Sequence, residues 1–263
     1  MPRLRLIPLG ILALALTACG SATVPSASVS PQHTPSPSRS ASAAPSAPAS
    51  SSASASSPPT AGQVLRPGMS GPAVIRLQQR LAALEYYPGT VDGQFGTDTL
   101  ESVWAFQAVQ GLPVQDAVSP AMQRALISPR LPAVLAPGGG SLRVEVNLAD
   151  EVLVLYRGNQ VALISHVSSG GGYYFCSPGD GCAYAVTPTG NFTTTAFMPG
   201  WVTVPLGEMY NPVFFIGTAY AIHGDTDVPA QPVSHGCIRI PMDIAAFFHT
   251  LVPAPGTPVY VRG

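Results

Sequence analysis

Cys237 stands in the run Ser234-His235-Gly236-Cys237-Ile238-Arg239, which begins eleven residues after His223 of Ala221-Ile222-His223-Gly224-Asp225. A thiol with an ordinary pKa of about 8.5 is mostly protonated at neutral pH. A neighbouring imidazole can take that proton and return it in a later step. The pair suits attack on a carbonyl, with Cys237 as nucleophile and His223 as base. Gly236 lets the backbone approach a bound group closely, and its N–H is expected to join that of Cys237 in an oxyanion hole. A third group must hold the imidazole in its useful tautomer. The carbonyl of Gly224 is the simple candidate, because Asp225 is very close along the chain. His235 reads as a structural hydrogen-bonder. Arg239 reads either as a fork for a substrate carboxylate or as half of an internal ion pair. Tyr210 and Trp201 are read as pocket-lining or core aromatics.

These residues need a rigid frame, and the hydrophobic pattern supplies one. Leu142, Val144, Val146 and Leu148 alternate with Arg143, Glu145 and Asn147, which predicts a half-buried strand with its polar side outward. Turns at Ala149-Asp150 and Arg157 to Gln160 separate it from strands over Val152 to Tyr156 and Val161 to Val167. Consecutive hairpins predict an antiparallel sheet. Further strands are expected at Gly190 to Phe197, Val213 to Ile222 and Pro258 to Arg262, and one helix at Met242 to Leu251 after Pro241. His223 then emerges at the end of a strand. Upstream, Val74, Leu77, Leu81 and Leu84 repeat at helical spacing, Leu100, Val103 and Phe106 mark a second helix, and a third begins at Pro120. The loop Asp92-Gly93-Gln94-Phe95-Gly96 offers two glycines for tight turns and Phe95 as a plug between helices.

The remaining segments speak to compartment. Arg3 and Arg5 precede an apolar run, Leu6 to Leu16, that is too short to span a bilayer and reads as a secretory signal. Gly20 to Gly62 is almost entirely Ser, Ala, Pro and Thr, a composition that cannot bury enough apolar surface to offset its ordering entropy. As a flexible tether it averages roughly 40 Å end to end. A net charge of −1 argues against nucleic acid as a partner. Of four cysteines, Cys176 and Cys182 lie close together in a Gly/Pro-rich loop and form a disulfide candidate in an exported chain, leaving Cys237 as the free thiol.

Three resemblances follow from these residues. His223-Gly224 with Ser234-His235-Gly236-Cys237-Ile238-Arg239 resembles the active-site signature of the L,D-transpeptidases. The stretches Met209 to Phe215, Thr187-Pro188-Thr189-Gly190 and Thr257 to Val261 extend that likeness over Leu142 to Val261. Leu65 to Leu126 is similar to the three-helix peptidoglycan-binding domain, through Leu77-Gln78, Leu81, the Asp92 to Gly96 turn and Phe106-Gln107. Leu16-Thr17-Ala18-Cys19 resembles the lipobox of bacterial lipoproteins, whose cysteine carries the lipid; plain secretion is the alternative.

Together they imply a multidomain chain. A lipoprotein signal peptide would occupy 1–18, a disordered linker 19–62, a small all-α peptidoglycan-binding domain 63–128, a second linker 129–140, and a mostly-β, sandwich-like catalytic domain 141–263 with one short helix after the nucleophile. The family roles fall on Cys237 as nucleophile, His223 as base, the Gly224 carbonyl as its orienter, and Ser234, His235 and Gly236 around the oxyanion site, with Arg239 and Tyr210 as substrate contacts. The implied reaction is acyl transfer on stem peptides. Cys237 attacks the carbonyl of the third residue of a tetrapeptide, D-Ala leaves, and an amine of a neighbouring stem takes the thioester. Water as acceptor would make an L,D-carboxypeptidase, and a dead catalytic domain a wall-binding scaffold. The compact spacing of the two motifs suggests that Asp225 to Val233 shapes the pocket differently here. A zinc peptidase using His223, Asp225, His235 and Cys237 is a rival, but their spacing fits no common catalytic zinc site. A cysteine endopeptidase on another fold is disfavoured by the hairpins. No metal or cofactor is expected. The implied partners are stem peptides, glycan strands and, through Cys19, the outer face of the cytoplasmic membrane. On this reading the helical domain is a separable anchor.

Overall fold

A computed structural model describes residues 63–177 and 181–263. The expected signal peptide, the lipidation candidate Cys19 and the expected linker to residue 62 lie outside the described residues.

Three helices come first: α1 (Pro72–Ala82), α2 (Thr97–Val109) and α3 (Pro120–Ile127). Pro72 and Pro120 sit in first turns, where a missing N–H costs nothing, and the Ser119 hydroxyl accepts from the Met122 N–H at 3.2 Å. Buried Gln78 organises the loop between α1 and α2. Its amide nitrogen lies 3.0 Å from Asp92 Oδ1 and 3.1 Å from Thr99 Oγ1, and its Oε1 accepts from the Gly93 N–H at 2.9 Å. Gln78 is therefore part of the fold of this module. Phe95 is buried as expected.

Next come β1 (Arg143–Asn147), β2 (Val152–Arg157) and β3 (Gln160–His166), a short hairpin of β4 (Tyr174–Ser177) and β5 (Gly181–Tyr184), then β6 (Gly190–Thr193), β7 (Ala196–Phe197), β8 (Trp201–Val204), β9 (Gly207–Ile216), β10 (Tyr220–Gly224), β11 (Ile238–Ile240), α4 (Met242–Leu251) and β12 (Pro258–Arg262). One sheet runs β3-β2-β1-β12-β6. The second runs β11-β10-β9-β7, with β8 also on β9. Val146, Leu153, Leu155 and Val261 from the first sheet meet Val213, Phe215, Ile222 and Ile238 from the second, with Ile244 and Phe248 of α4 closing the same core. The sandwich is mixed rather than antiparallel, because β1 pairs in parallel with β12 and β10 with β11. The span Val213 to Ile222 is two strands, since the chain reverses through Gly217 at φ +53°. The expected loop around Cys176 and Cys182 is the β4–β5 hairpin, closed by a disulfide between them.

Two expectations about surfaces change. Arg143 and Glu145, on the polar side of β1, are buried: the Arg143 Nε–Glu145 Oε1 pair closes at 2.6 Å, and the guanidinium lies 3.9 Å over the Tyr156 ring. What covers them is residues 129–140. Glu145 accepts from the N–H of Leu135 at 2.6 Å, and Tyr260 Oη donates to the Gly139 carbonyl at 3.1 Å. That segment is fastened down rather than free.

The helices, too, are docked. Val152, Val154, Tyr156 and Ile164 face away from the sandwich and share one apolar core with Leu77, Leu81, Tyr86 and Phe106. The Ile164 N–H donates to the Glu85 carbonyl at 2.8 Å, Trp104 meets His166 edge-on at 5.3 Å, and Tyr87 meets Phe247 at 5.0 Å. The helical module is thus a third layer on the first sheet, and a separable anchor does not fit this packing. Fully exposing an apolar side chain costs about 1.5–3 kcal/mol, so uncovering Val152, Val154, Tyr156 and Ile164 is comparable with the whole stability of an ordinary domain, about 5–15 kcal/mol. Deleting residues 65–126 should yield a chain that aggregates or melts well below the full-length protein. A soluble truncation with an unchanged Tm would overturn this.

The same junction gathers acids. Burial, followed by repulsion from Asp243 and Asp98, raises the Glu101 carboxyl to about 8, and burial raises Asp243 to about 6. A raised carboxyl binds its proton more tightly in the folded chain than in the unfolded one. The stability it contributes is full below the ordinary value near 4.5 and is lost as pH rises through about 8. Glu101→Gln should raise Tm at pH 8.5, a gain on the order of 1 kcal/mol corresponding to about 2–4 °C. It should change Tm little at pH 4.5. Thermal melts at both pH values check it.

Candidate active site

The site is built on the β10–β11 pair. Ile222 lies opposite Ile238 and His223 opposite Arg239. Side chains alternate faces along a strand, so with Ile222 and Ile238 buried in the sandwich core, His223, Arg239 and the preceding Cys237 fall on the other face. There they line a cleft of about 610 Å³. Ser234, His235 and Asp225 also line it. Phe175 of β4, the β8–β9 turn around Leu206, and Ala219 and Tyr220 complete the walls.

His223 is buried, and its Nδ1 lies 2.9 Å from the Gly224 carbonyl. A carbonyl only accepts, so Nδ1 carries the proton and Nε2 is left with its lone pair. Burial lowers the imidazole pKa below 6.5, partly opposed by the Gly224 bond. The partly exposed Cys237 thiol is pushed up, mainly by desolvation. Both groups are therefore neutral at rest near pH 7. Asp225 is committed to Arg239 and acts on His223 only through its charge, which partly opposes the burial effect: its Oδ2 pairs with Arg239 Nε at 3.1 Å, while Arg239 Nη1 donates to the Asp227 carbonyl at 3.1 Å. Of the two readings of Arg239, the internal ion pair is the one found.

The turn before Cys237 is tightly specified. Ser234 Oγ donates to the Cys237 carbonyl at 2.6 Å and accepts from the Gly236 N–H at 3.0 Å. The Gly236 amide is thus engaged inside the turn and does not point into the site as expected, which leaves the Cys237 amide as the donor next to the sulfur. Gly236 itself sits at φ +141°, where an added Cβ would meet the Val186 carbonyl at 2.8 Å, so only glycine fits. Its carbonyl accepts from Thr187 Oγ1 at 2.8 Å, and that oxygen accepts from the Gly170 N–H at 2.9 Å. Gly224 is needed for another reason: a Cβ would come within 2.6 Å of that of Ala245 on α4.

Tyr210 is not among the pocket residues. It pairs across from Gly224, packs against the sandwich core and meets Trp201 at a tilt, with ring centroids 5.3 Å apart. Its neighbours Met209 and Glu208 take the cleft side. His235 packs against the Phe175 and Tyr173 rings at 4.6 and 5.7 Å, and burial lowers its pKa. Sequence reasoning missed Phe175 and the β8–β9 turn. Both reach the cleft from distant parts of the chain, with no local motif to mark them.

Residues 141–261 match the sequence model of the L,D-transpeptidase catalytic domain, and residues 70–126 that of a peptidoglycan binding domain. The solved structure of an L,D-transpeptidase from Xylanimonas cellulosilytica is 33% identical, with a TM-score of 0.70 over 78% of this chain and 100% of that one. A spore cortex-lytic enzyme of Bacillus cereus is 46% identical over 54 residues, 20% of this chain, which spans about a fifth (21%) of that relative's length. Sequence match, shared architecture and the His223–Cys237 cleft agree: the chain belongs to the L,D-transpeptidase family and carries a peptidoglycan-binding domain ahead of its catalytic domain.

Proposed function

We propose that this protein cross-links peptidoglycan by L,D-transpeptidation, with Cys237 as the nucleophile and His223 as its general base. The observation that carries the reading is the neutral pair in one cleft, with His223 Nδ1 committed to the Gly224 carbonyl and Nε2 free to accept. Because burial disfavours both charged forms, no thiolate–imidazolium pair stands ready. The thiol proton moves to Nε2 as sulfur attacks the carbonyl of the third residue of a tetrapeptide stem. The Cys237 amide faces the developing oxyanion. The imidazolium returns the proton to the departing D-Ala amine, and the thioester remains. An amine from a neighbouring stem then attacks the thioester carbonyl, His223 takes its proton, the C–S bond breaks with that proton passing to the Cys237 sulfur, and the acyl group is left on the amine. Water in its place would give the L,D-carboxypeptidase reaction. Phe175 and Leu206 are among the residues lining the cleft that either acceptor would enter. Mass spectrometry of muropeptides after incubation with disaccharide-tetrapeptides decides between them: dimers linked through two third residues support transpeptidation, and tripeptides alone overturn it.

Cys237→Ala should abolish acylation, and His223→Ala should slow it by roughly 10²–10⁴-fold. A protonated imidazole cannot accept, so the rate should fall as pH drops through the His223 pKa, with the midpoint below 6.5. Following carbapenem acylation by intact mass from pH 4.5 to 8 checks this. A midpoint above 6.5, or wild-type rates in His223→Ala, would refute the assignment.

The same proposal covers location. Lipidation at Cys19 would hold the enzyme on the outer face of the cytoplasmic membrane. Cys19→Ala should release the protein from the membrane fraction while leaving carbapenem acylation unchanged. Fractionation and intact mass report the two.

A further inference from the structure

Glu151 lies at the turn between β1 and β2, away from the cleft-lining residues, and is only 6% exposed. Its backbone is in the left-handed region at φ +49°, and its carbonyl accepts from the Val167 N–H at 2.9 Å. No cation pairs with it among the described ion pairs. A buried carboxylate without a counter-ion is expensive, and burial raises this one to about 7. What it holds is one residue. Glu151 Oε2 accepts from the Ser169 N–H at 2.6 Å, and Oε1 from the Ser169 hydroxyl at 2.5 Å.

Ser169 in turn holds the nucleophile's turn. Its carbonyl accepts from the Ser234 N–H at 2.9 Å, and the Gly171 N–H donates back to the Ser234 carbonyl at 2.9 Å. Ser234 Oγ then fixes both the Gly236 amide and the Cys237 carbonyl. An unbroken series of hydrogen bonds thus runs from the Glu151 carboxyl to the backbone of the nucleophile. The neighbouring Ser168 secures the loop on the other side, accepting from Val233 N–H at 3.2 Å and donating to the Gln231 carbonyl at 2.8 Å.

We infer that Glu151 is a positioning residue of the acyl-transfer reaction: by clamping both donors of Ser169, it sets the place of Ser234 and hence the direction of the Cys237 amide toward the oxyanion. The inference rests on the reading of Cys237 as nucleophile given above. It separates two properties of the sulfur. Direct alkylation needs only the thiol and His223, whereas acylation also needs the amide aimed at a developing negative charge.

Three proteins test it: wild type, Glu151→Ala and Glu151→Gln. A glutamine keeps an oxygen for the Ser169 N–H and offers its NH₂ to the Ser169 oxygen, so it is the conservative replacement. The readouts are the rate of carbapenem acylation, the rate of iodoacetamide alkylation of Cys237, Tm, and amide hydrogen exchange over residues 225–240. Glu151→Ala should slow acylation by roughly 10- to 100-fold, the scale of a 1 Å misplacement. Alkylation should stay unchanged, exchange over 225–240 should quicken, and Glu151→Gln should restore both affected readouts. Unchanged acylation in Glu151→Ala overturns the inference, as does a joint fall of acylation, alkylation and Tm that glutamine does not rescue. If even the wild type is not acylated, the acyl-transfer reading fails instead. The exchange readout then still decides whether Glu151 fixes the turn, and unchanged exchange in Glu151→Ala rejects it.

Discussion

The parallel pairing of β10 with β11 governs the chemistry of this molecule. With Ile222 opposite Ile238, both isoleucines go into the sandwich core, and the intervening positions have no choice but the opposite face. Slipping the register by one residue would turn Cys237 and His223 inward and put isoleucines in the cleft. The apolar core thereby acts on the reaction at a distance: hydrophobic burial of Ile222, Ile238 and Ile240 holds two polar side chains in register on the surface they share. α4 reinforces the arrangement, since Ala245 and Met242 pack onto Gly224, whose carbonyl fixes the imidazole.

Around that pair, the polar groups are spent on orientation more than on charge. Arg239 is matched by Asp225, the Gly236 amide by Ser234, and the Ser169 donors by Glu151. Each removes a freedom that a loop of this length would otherwise have. A cleft assembled this way can leave Cys237 and His223 neutral and still hold them in an aligned geometry, because the alignment comes from contacts made by neighbouring groups.

Much of this was legible in the residues. The spacing of His223 and Cys237, the glycine before the cysteine and the hairpin periodicity led to the fold and to the pair. The rest was hidden for identifiable reasons. Alternation along Leu142 to Leu148 speaks of one buried face and one polar face, and cannot tell that residues 129–140 lie over Arg143 and Glu145. The signal for the third layer was present and passed over: Val152 to Tyr156 is apolar at every position, as in strands covered on both sides. Tyr210 misled because a single residue's parity on β9 decides between core and cleft, and the bulges between β9 and β10 shift that parity. Glu151 gave no sign at all, being one acid in a turn whose partner lies eighteen residues on.

The place of β12 in the first sheet has a consequence in time. It pairs with β1 on one side and β6 on the other, so it lies inside the sheet although it is the last strand along the described chain. Until β12 is in place, β1 and β6 have no common neighbour and the first sheet lacks the strand that joins them. Contacts between residues so far apart in sequence form slowly, because a long loop must close before they bring any gain. Val259 and Val261 of β12 share the core with Ile222 and Ile238, so that core is complete only once β12 has found both neighbours.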